Sequence, residues 1–281
     1  MNQLSLFGPR EEGPEEKPQS DRKERLRVLI TVKAAPNPSQ TYGETVCVAG
    51  LSADLNRRGW IRLYPVNFRD LASDEKFRKY ELVSVDARPA RNDQRRESWK
   101  PISASLERGA FLKPWQPRRN WIDPYIEESM CRLHRAARAD ANSQSLALIK
   151  PKDVGGIDIE RHPGWSADEQ TKIDAYVNQL DLFGTRDRTP LQPPRFKGFY
   201  RYRCHDLNCR GHRQGMIDWE FVAYQRNHLA GSDARHAATA LSEKFFGNLC
   251  ASDKDVAFYV GNQAKRAHVF SILGVYWPPK A

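Results

Sequence analysis

The sequence lacks any apolar run near the length of about 18 residues that a membrane-spanning helix requires. Its first residues contain no apolar stretch behind a basic start, so they do not predict a secretory signal peptide. Cysteine is scarce and odd in number, with five in 281 residues, which argues against a disulfide framework. We therefore expect a cytoplasmic protein with no membrane partner, whose cysteines remain thiols or bind a metal.

The common signatures of catalysis and nucleotide binding are also missing. The chain has no G-x-G-x-x-G, P-loop, G-x-S-x-G or H-E-x-x-H motif. Negative charge is in deficit, because 35 Asp and Glu face 45 Lys and Arg, for a formal net charge of +10. This balance favours polyanionic partners, with nucleic acid, DNA or RNA, ahead of anionic membranes.

Composition divides the chain into three predicted parts. Residues 1–25 form a polar, charged tail, in which 9–25 has no hydrophobic residue and predicts disorder. Residues 26–187 form a β-rich and then helical domain, and a Pro-rich joint at 188–195 opens a third part, 188–281. The predicted fold class is α+β, with a small N-terminal sheet or barrel, a helical middle and a C-terminal α+β part that a bound metal stabilises.

Strands are predicted from runs of β-branched residues bounded by Gly, Pro or Asn, and helices are predicted from capping residues. The predicted strands are 26–36, 44–51, 59–66, 80–89, 145–154, 196–204, 255–262 and 268–278. The predicted helices are 123–141, with Asp123 as N-cap, 166–183, with a capping box from Ser166 and Glu169, and 232–250. The first four strands resemble, by fold-level analogy, small RNA-binding barrels of the PUA kind.

The pentapeptide Q-L-x-L-F occurs twice, at 3–7 and at 179–183. Average residue usage gives one such match in roughly one chain in a thousand of this size. The first copy precedes the polar segment 9–25 and has no local apolar partner there. The second copy has an alternative explanation as the apolar end of the helix predicted over 166–183.

This pentapeptide resembles the peptide by which bacterial polymerases, mismatch-repair proteins and other replication-linked proteins bind the DNA sliding clamp. In those peptides Gln hydrogen-bonds at a pocket rim, the first Leu packs nearby, and the Leu-Phe pair fills an apolar pocket. The resemblance covers five residues in each copy and implies eight clamp-binding residues: Gln3, Leu4, Leu6, Phe7, Gln179, Leu180, Leu182 and Phe183. It implies the sliding clamp as partner, in DNA replication, repair, transposition or phage defence.

A metal site is predicted in the stretch 201–220, where Cys204, Cys209 and His212 have the spacing C-x4-C-x2-H. Thiolate and imidazole ligands at this spacing can surround a tetrahedral Zn²⁺, and we expect a structural role for it. The fourth ligand stays open on the sequence. The candidates are His205, which adjoins Cys204, then Cys250, His228, His236, an aspartate or water.

Two stretches combine basic and aromatic residues, as nucleic-acid-binding surfaces do. Residues 88–121 contain nine Lys and Arg against three Asp and Glu, with tryptophans between them. The second stretch surrounds the predicted metal site. The candidate contacts are Arg95, Arg96, Trp99, Trp115, Arg118, Arg119, Arg201, Arg203, Arg210 and Arg213.

Asp218 and Glu220 form a D-x-E pair, with Lys244 as the nearest basic candidate. On a strand both carboxylates face one side and could hold Mg²⁺ for phosphodiester cleavage. The leading hypothesis is a nucleic-acid-binding protein recruited to the sliding clamp. The alternatives are a clamp-tethered metal-dependent nuclease or other processing enzyme, and a regulatory adaptor that occupies the clamp without touching DNA.

Overall fold

The computed structural model describes residues 17–18, 20–39, 43–54, 57–68, 76–178 and 190–280. Both copies of the pentapeptide, at 3–7 and 179–183, lie outside the described residues. The described chain forms two packed units of α+β class, each built on a seven-stranded sheet. Among the described residues, no helix combines the length and the apolarity that crossing a bilayer would need.

The first unit is a five-stranded β-barrel with two additional strands. The barrel strands are β1 (Glu24–Lys33), β3 (Gly43–Ser52), β4 (Trp60–Val66), β5 (Glu81–Pro89) and β6 (Ser98–Pro101). They pair in the order β1-β3-β4-β6-β5, and antiparallel pairing of β1 with β5 closes the ring. The short strands β2 (Asn37–Ser39) and β7 (Glu107–Phe111) pair with β3 and β5 respectively.

Alternation of side chains along each strand fills the barrel. In β5, Val83, Val85 and Ala87 are buried and the residues between them are more exposed. They meet Val28 and Ile30 of β1 in one apolar core. The four strands that the sequence predicts in this region are confirmed, because β-branched residues at every second position suit a curved, half-buried sheet.

The second unit is a mixed sheet with helices on it. Its strands are β8 (Ile126–Glu127), β9 (Leu146–Ile149), β10 (Asp153–Arg161), β11 (Phe196–Arg203), β12 (His212–Met216), β13 (Ala257–Gln263) and β14 (Arg266–Tyr276). Their order is β10-β11-β12-β14-β13-β9-β8. The helices of the chain are α1 (Gln116–Ile122), α2 (Met130–Ala139), α3 (Ala167–Val177), α4 (Trp219–His228) and α5 (Ala234–Ser242). A π-helical turn (Glu243–Asn248) continues α5.

The second sheet crosses the division that the sequence analysis placed at residue 188. Strand β10 pairs with β11 along its whole length, from Asp153 opposite Arg203 to Arg161 opposite Phe196. The Pro-rich joint at 188–195 therefore connects two adjacent strands of one sheet. The change from the first sheet to the second comes between Phe111 and Ile126.

Helix α2 starts at Met130, seven residues later than the sequence predicts, so Cys131 lies at its N-terminus. Its N-cap is Ser129, whose hydroxyl accepts the amide N–H of Arg132, whereas Asp123 and Pro124 lie in a separate 3-10 turn. Met130, Leu133 and Ala137 form the buried side of α2. The capping box at the start of α3 is present as predicted, with Ser166 and Glu169 exchanging hydrogen bonds.

The two units share an apolar interface. Ala49, Leu51 and Trp60 lie on the outside of the barrel and pack against residues such as Tyr259 and Leu273 of the second sheet. The rings of Trp60 and Tyr259 meet edge to face, with centroids 6.2 Å apart. Because these outward-facing residues are buried, the barrel and the second unit share an apolar core.

Candidate metal centre and nucleic-acid interface

Three thiols and one imidazole converge beside the sheet of the second unit. The ligand atoms of Cys131, Cys204, Cys209 and His212 all lie within 4.8 Å of one another. The Nε2 atom of His212 lies 3.3 Å from the Cys209 sulfur, 3.4 Å from the Cys204 sulfur and 3.6 Å from the Cys131 sulfur. Tetrahedral zinc, with Zn–S of about 2.3 Å and Zn–N of about 2.0 Å, places its S and N ligands about 3.5 Å apart. The group could therefore hold a metal ion such as zinc.

Two segments of the chain bring these ligands together. Cys204 follows the last residue of β11, His212 is the first residue of β12, and Cys209 lies in the loop between them. Gly211, with φ of +102°, takes the left-handed turn that brings the chain back to His212. Cys131 is the second residue of α2, the helix whose N-terminus lies against this loop.

The electrostatics of the group suit a cation. Burial and the neighbouring His134 lower the pKa of His212 to about 4, so its imidazole is neutral at pH 7, the form that binds metals. Burial and the sulfurs of Cys204 and Cys209 raise the pKa of Cys131 to about 12. Without a cation, this third thiol keeps its proton. A bound divalent ion would offset the repulsion between three thiolates.

The loop between β11 and β12, residues 204–211, is called the metal loop, and outer contacts hold it against α2. The carboxylate of Asp206 accepts hydrogen bonds from the Ser129 hydroxyl, at 3.2 Å, and from the Arg135 guanidinium, at 2.7 Å. The amide of His205 donates to the Glu128 carbonyl at 2.9 Å. Such contacts fix the ligands before metal binding, as outer-shell partners do in metal sites.

The fourth member of the group is thus Cys131, and the candidate His205 is not part of it. His205 is exposed, because the residue after the buried Cys204 points to the opposite side of the extended chain. Neither Cys250, His228 nor His236 belongs to the group. In the sequence Cys131 stands in the interior of the helix predicted over 123–141, and the 73 positions that separate it from Cys204 hid the connection.

The named candidates of the first predicted nucleic-acid surface, residues 88–121, are mostly covered, although other basic residues of the segment, such as Arg88 and Lys100, are exposed. Trp99 is 2% exposed and lies in the barrel core. Arg95 is buried, forms an ion pair with Asp93 at 2.6 Å and donates to the carbonyl of Asn262 at 2.9 Å. Arg96 beside it is half-buried. The prediction of exposure fails for Trp99 and Arg95, because Trp99 packs in the barrel core and Arg95 hydrogen-bonds to the second unit.

The remaining candidates of this segment pack between the two units. Arg118 is buried with its guanidinium 4.1 Å from the centre of the Tyr80 ring. Trp115 packs edge to face on Trp277, with ring centroids 4.7 Å apart. Arg119 is mostly covered and forms ion pairs with carboxylates on both sides. None of these three side chains is free to contact a nucleic acid.

The second predicted surface is different, because its basic residues lie on the open face of β10, β11 and β12. In β11 the side chains at 196, 198, 200 and 202 turn inward, so Lys197, Phe199, Arg201 and Arg203 share the outer face. Arg201 lies opposite Arg213 of β12 in the ladder. We call this surface the basic face; it consists of Lys197, Phe199, Arg201, Arg203, Arg210 and Arg213.

Three acids lie on the same surface: Asp153, opposite Arg203 in the ladder, and Asp158 and Glu160, which form ion pairs. Asp158 bridges Arg201 and Arg213, at 2.9 Å to each, and Glu160 also pairs with Arg213. The guanidinium of Arg213 stacks 3.9 Å from the centre of the Phe199 ring. Two further cations, Arg203 and Arg210, are exposed and have no acidic partner within the described chain. The basic face therefore keeps a positive excess around one aromatic ring.

The carboxylates proposed as catalytic candidates have other contacts. Asp218 is buried as the N-cap of α4, where its Oδ1 accepts the amide of Glu220 at 2.8 Å. Burial and Glu220 raise the pKa of Asp218 to about 7, against the opposing charges of Lys79 and Lys33. The cation beside Glu220 is Lys79, at 3.6 Å, whereas Lys244 is exposed on the π-helical turn.

This geometry does not suit a two-carboxylate metal site. Asp218 and Glu220 lie at a helix start and not along a strand, one of them capping backbone and the other facing an ammonium group. The two residues belong to an ion cluster at the place where β1 meets the second sheet. Ala34, next to β1, forms an isolated β-bridge with Asp218 there.

Comparison with protein families divides the chain where the structure does. Residues 24–124, which include the barrel, match the sequence profile of a domain of unknown function (DUF8758). Residues 126–281, more than half of the chain and the whole second sheet, match the profile of another domain of unknown function (DUF8757). The chain belongs to the DUF8757 family. No curated protein matches it. The metal group, from Cys131 to His212, lies entirely within the DUF8757 domain.

Proposed function

We propose that this protein binds nucleic acid through the basic face and is recruited to the DNA sliding clamp. Nucleic-acid binding is supported by the open sheet surface around Phe199. The cations on that surface are Lys197, Arg201, Arg203 and Arg213. Exposed sheets bind single strands in this way, with rings that stack on bases and cations that contact phosphates. The positive net charge of the whole chain, +10, supports the same partner.

We further propose that the metal is zinc and that it is structural. Three cysteines and one histidine are a ligand set that zinc uses in closed sites. All four positions of the tetrahedron are taken by protein atoms, so no position is left for a reacting water. An ion held there would tie α2 to the β11–β12 loop and thereby fix the edge of the basic face.

The test of nucleic-acid binding is a salt titration by fluorescence anisotropy on single-stranded and duplex DNA and RNA. Each phosphate contact contributes a slope of log affinity on log salt of roughly −0.7 on single strands. The double variant Arg203→Ala and Arg210→Ala should reduce the slope by about 1.4 units. Phe199→Ala should weaken single-strand binding by about 1–3 kcal/mol and leave the slope unchanged, because stacking releases no counterions.

The matched control carries Arg27→Ala and Arg88→Ala, two exposed arginines on the barrel. It removes the same charge from a surface outside the basic face. An equal loss of slope in this control would show that binding is diffuse. A slope near zero for the wild-type protein on all four nucleic acids would contradict nucleic-acid binding and leave the adaptor hypothesis.

Recruitment to the clamp rests on the N-terminal Q-L-x-L-F peptide, with Leu6 and Phe7 as its apolar anchors. Since a few such anchors dominate peptide recognition, Leu6→Ala with Phe7→Ala should weaken clamp binding by at least about 2 kcal/mol, about 30-fold. Surface plasmon resonance on immobilised clamp measures this, with Ser5→Ala as the control at the variable position. An unchanged affinity in the double variant would rule out docking through this copy.

A further inference from the structure

Leu207 is the most exposed large apolar side chain in the described part of the protein. Its relative exposure is 102%, whereas the next three, Tyr64, Ile102 and Phe111, are each 36% exposed. A leucine in this position gains nothing for folding, since none of its surface leaves water. Single exposed apolar side chains are common on protein surfaces, so the role of Leu207 depends on the residues that surround it.

The leucine is held in place by the rigid metal loop. It lies between Cys204 and Cys209, two members of the metal group. Asp206 beside it accepts the amide of Asn208 at 3.1 Å through its carboxylate, and its carbonyl accepts the amide of Cys209 at 3.0 Å. The same carboxylate is tied to α2 by Arg135. Leu207 is therefore presented on a preorganised turn, and a partner would lose little entropy in ordering it.

Cations surround this turn. Arg210 follows it and Arg203 precedes it, both exposed and without an acidic partner within the described chain. Arg132 and Arg135 project from α2 on the other side, with side chains 58% and 65% exposed. An open depression between α2 and the loop adjoins Leu207 and is lined by these two arginines and His205. Arg132 pairs with Glu127 and Arg135 with Asp206, so the two cations beside the turn that have no ion pair within the described chain are Arg203 and Arg210. An apolar tip between two such cations suits a partner whose bases are flanked by phosphates.

We propose that Leu207 is a wedge that inserts between two bases of the bound nucleic acid and unstacks them. Apolar side chains, leucine among them, open base steps in this way while neighbouring cations hold the phosphates. The inference rests on the proposed nucleic-acid binding and specifies its mode: the basic face holds the backbone, and the metal loop opens one step. It predicts a preference for sites where a step is already weakly stacked, such as a junction between duplex and single strand.

The test uses a DNA junction, a duplex with a single-stranded overhang, carrying 2-aminopurine at successive positions across the junction. Emission of this base rises when it unstacks. The wild-type protein should raise the emission at one position severalfold. Leu207→Ala should lower that rise by at least half and lower the affinity for the junction about fivefold or more, in the range that loss of one stacking contact gives. Leu207→Phe should restore both.

The control variant is Ile102→Ala, an exposed apolar residue on the barrel. It should leave emission and affinity unchanged, and Leu207→Ala should keep the wild-type melting temperature because the Leu207 side chain is fully exposed. If Leu207→Ala binds the junction with wild-type affinity and emission, the wedge is wrong while nucleic-acid binding stands. If the wild-type protein shows no salt-dependent binding at all, the proposed function fails and the wedge with it.

Discussion

Replacement of Cys131 by serine is expected to release the metal ion and destabilise the second unit. The purified wild-type protein should contain about one zinc per chain, and the variant much less. Because binding of structural zinc is coupled to folding, the loss should lower the free energy of unfolding by at least about 3 kcal/mol and the melting temperature by at least about 6 °C. Elemental analysis and thermal unfolding measure the two quantities.

Cysteine variants outside the group provide the controls. Cys250 is half-buried against the same apolar core but lies outside the metal group, so Cys250→Ser should keep a full equivalent of zinc. His205→Ala should also keep it, since His205 is not a ligand. Retention of one zinc by Cys131→Ser, or iron in place of zinc in the wild-type protein, would contradict the Cys3His zinc site.

Arg62→Ala should be the most destabilising substitution at the interface between the two units. Arg62 is 2% exposed, and its guanidinium donates to the carbonyl and the hydroxyl of Ser145, at 3.2 Å and 3.0 Å. Glu97, also 2% exposed, accepts the amide and the hydroxyl of the same Ser145, at 2.8 Å and 3.0 Å. Ser145 precedes β9, so these bonds connect the barrel to the second sheet.

Removal of the guanidinium takes away the cation that shares Ser145 with the buried Glu97 carboxylate and leaves Arg95 as the buried cation that interacts with it. Loss of one partner from a buried charged network costs about 3–5 kcal/mol, and urea unfolding of the whole chain should show a decrease of this size. Arg27→Ala, on the exposed side of the barrel, should change stability by less than about 0.5 kcal/mol. A loss below about 1 kcal/mol in Arg62→Ala would mean that apolar packing alone holds the units together.

The double variant Arg62→Ala with Glu97→Ala separates the pair from the individual residues. If the two charges support each other through Ser145, the double variant should lose less stability than the sum of the single losses. A strictly additive result would show that each residue acts alone.

Local features of the fold follow from the sequence because they depend on neighbouring residues. The strand at 26–36 is rich in β-branched residues and the strand at 80–89 alternates buried and less buried side chains, and β1 and β5 form there. The capping box of Ser166 and Glu169 fixes the start of α3. Three of the four members of the metal group lie within nine residues, so spacing alone predicts them.

Exposure did not follow from the sequence. Nine basic residues and several tryptophans within 88–121 suggest an open binding surface, yet Trp99 is in the barrel core and Arg95 is buried on Asp93. Around the metal loop a similar composition does lie on an open sheet face, at Arg201 and Arg213. Composition is similar in both cases, and tertiary packing separates them: Trp99 packs in the barrel core and Arg95 contacts the second unit.

The sequence by itself determined the α+β class, the barrel strands and the C-x4-C-x2-H half of the metal group, because each is set by residues close together in the chain. The tertiary structure alone decided the fourth ligand, the division between the units and the side of the molecule that stays open. Cys131 reaches Cys204 only because α2 packs its N-terminus against the β11–β12 loop. Contacts of that kind depend on how elements distant in sequence pack together, and no local pattern records them.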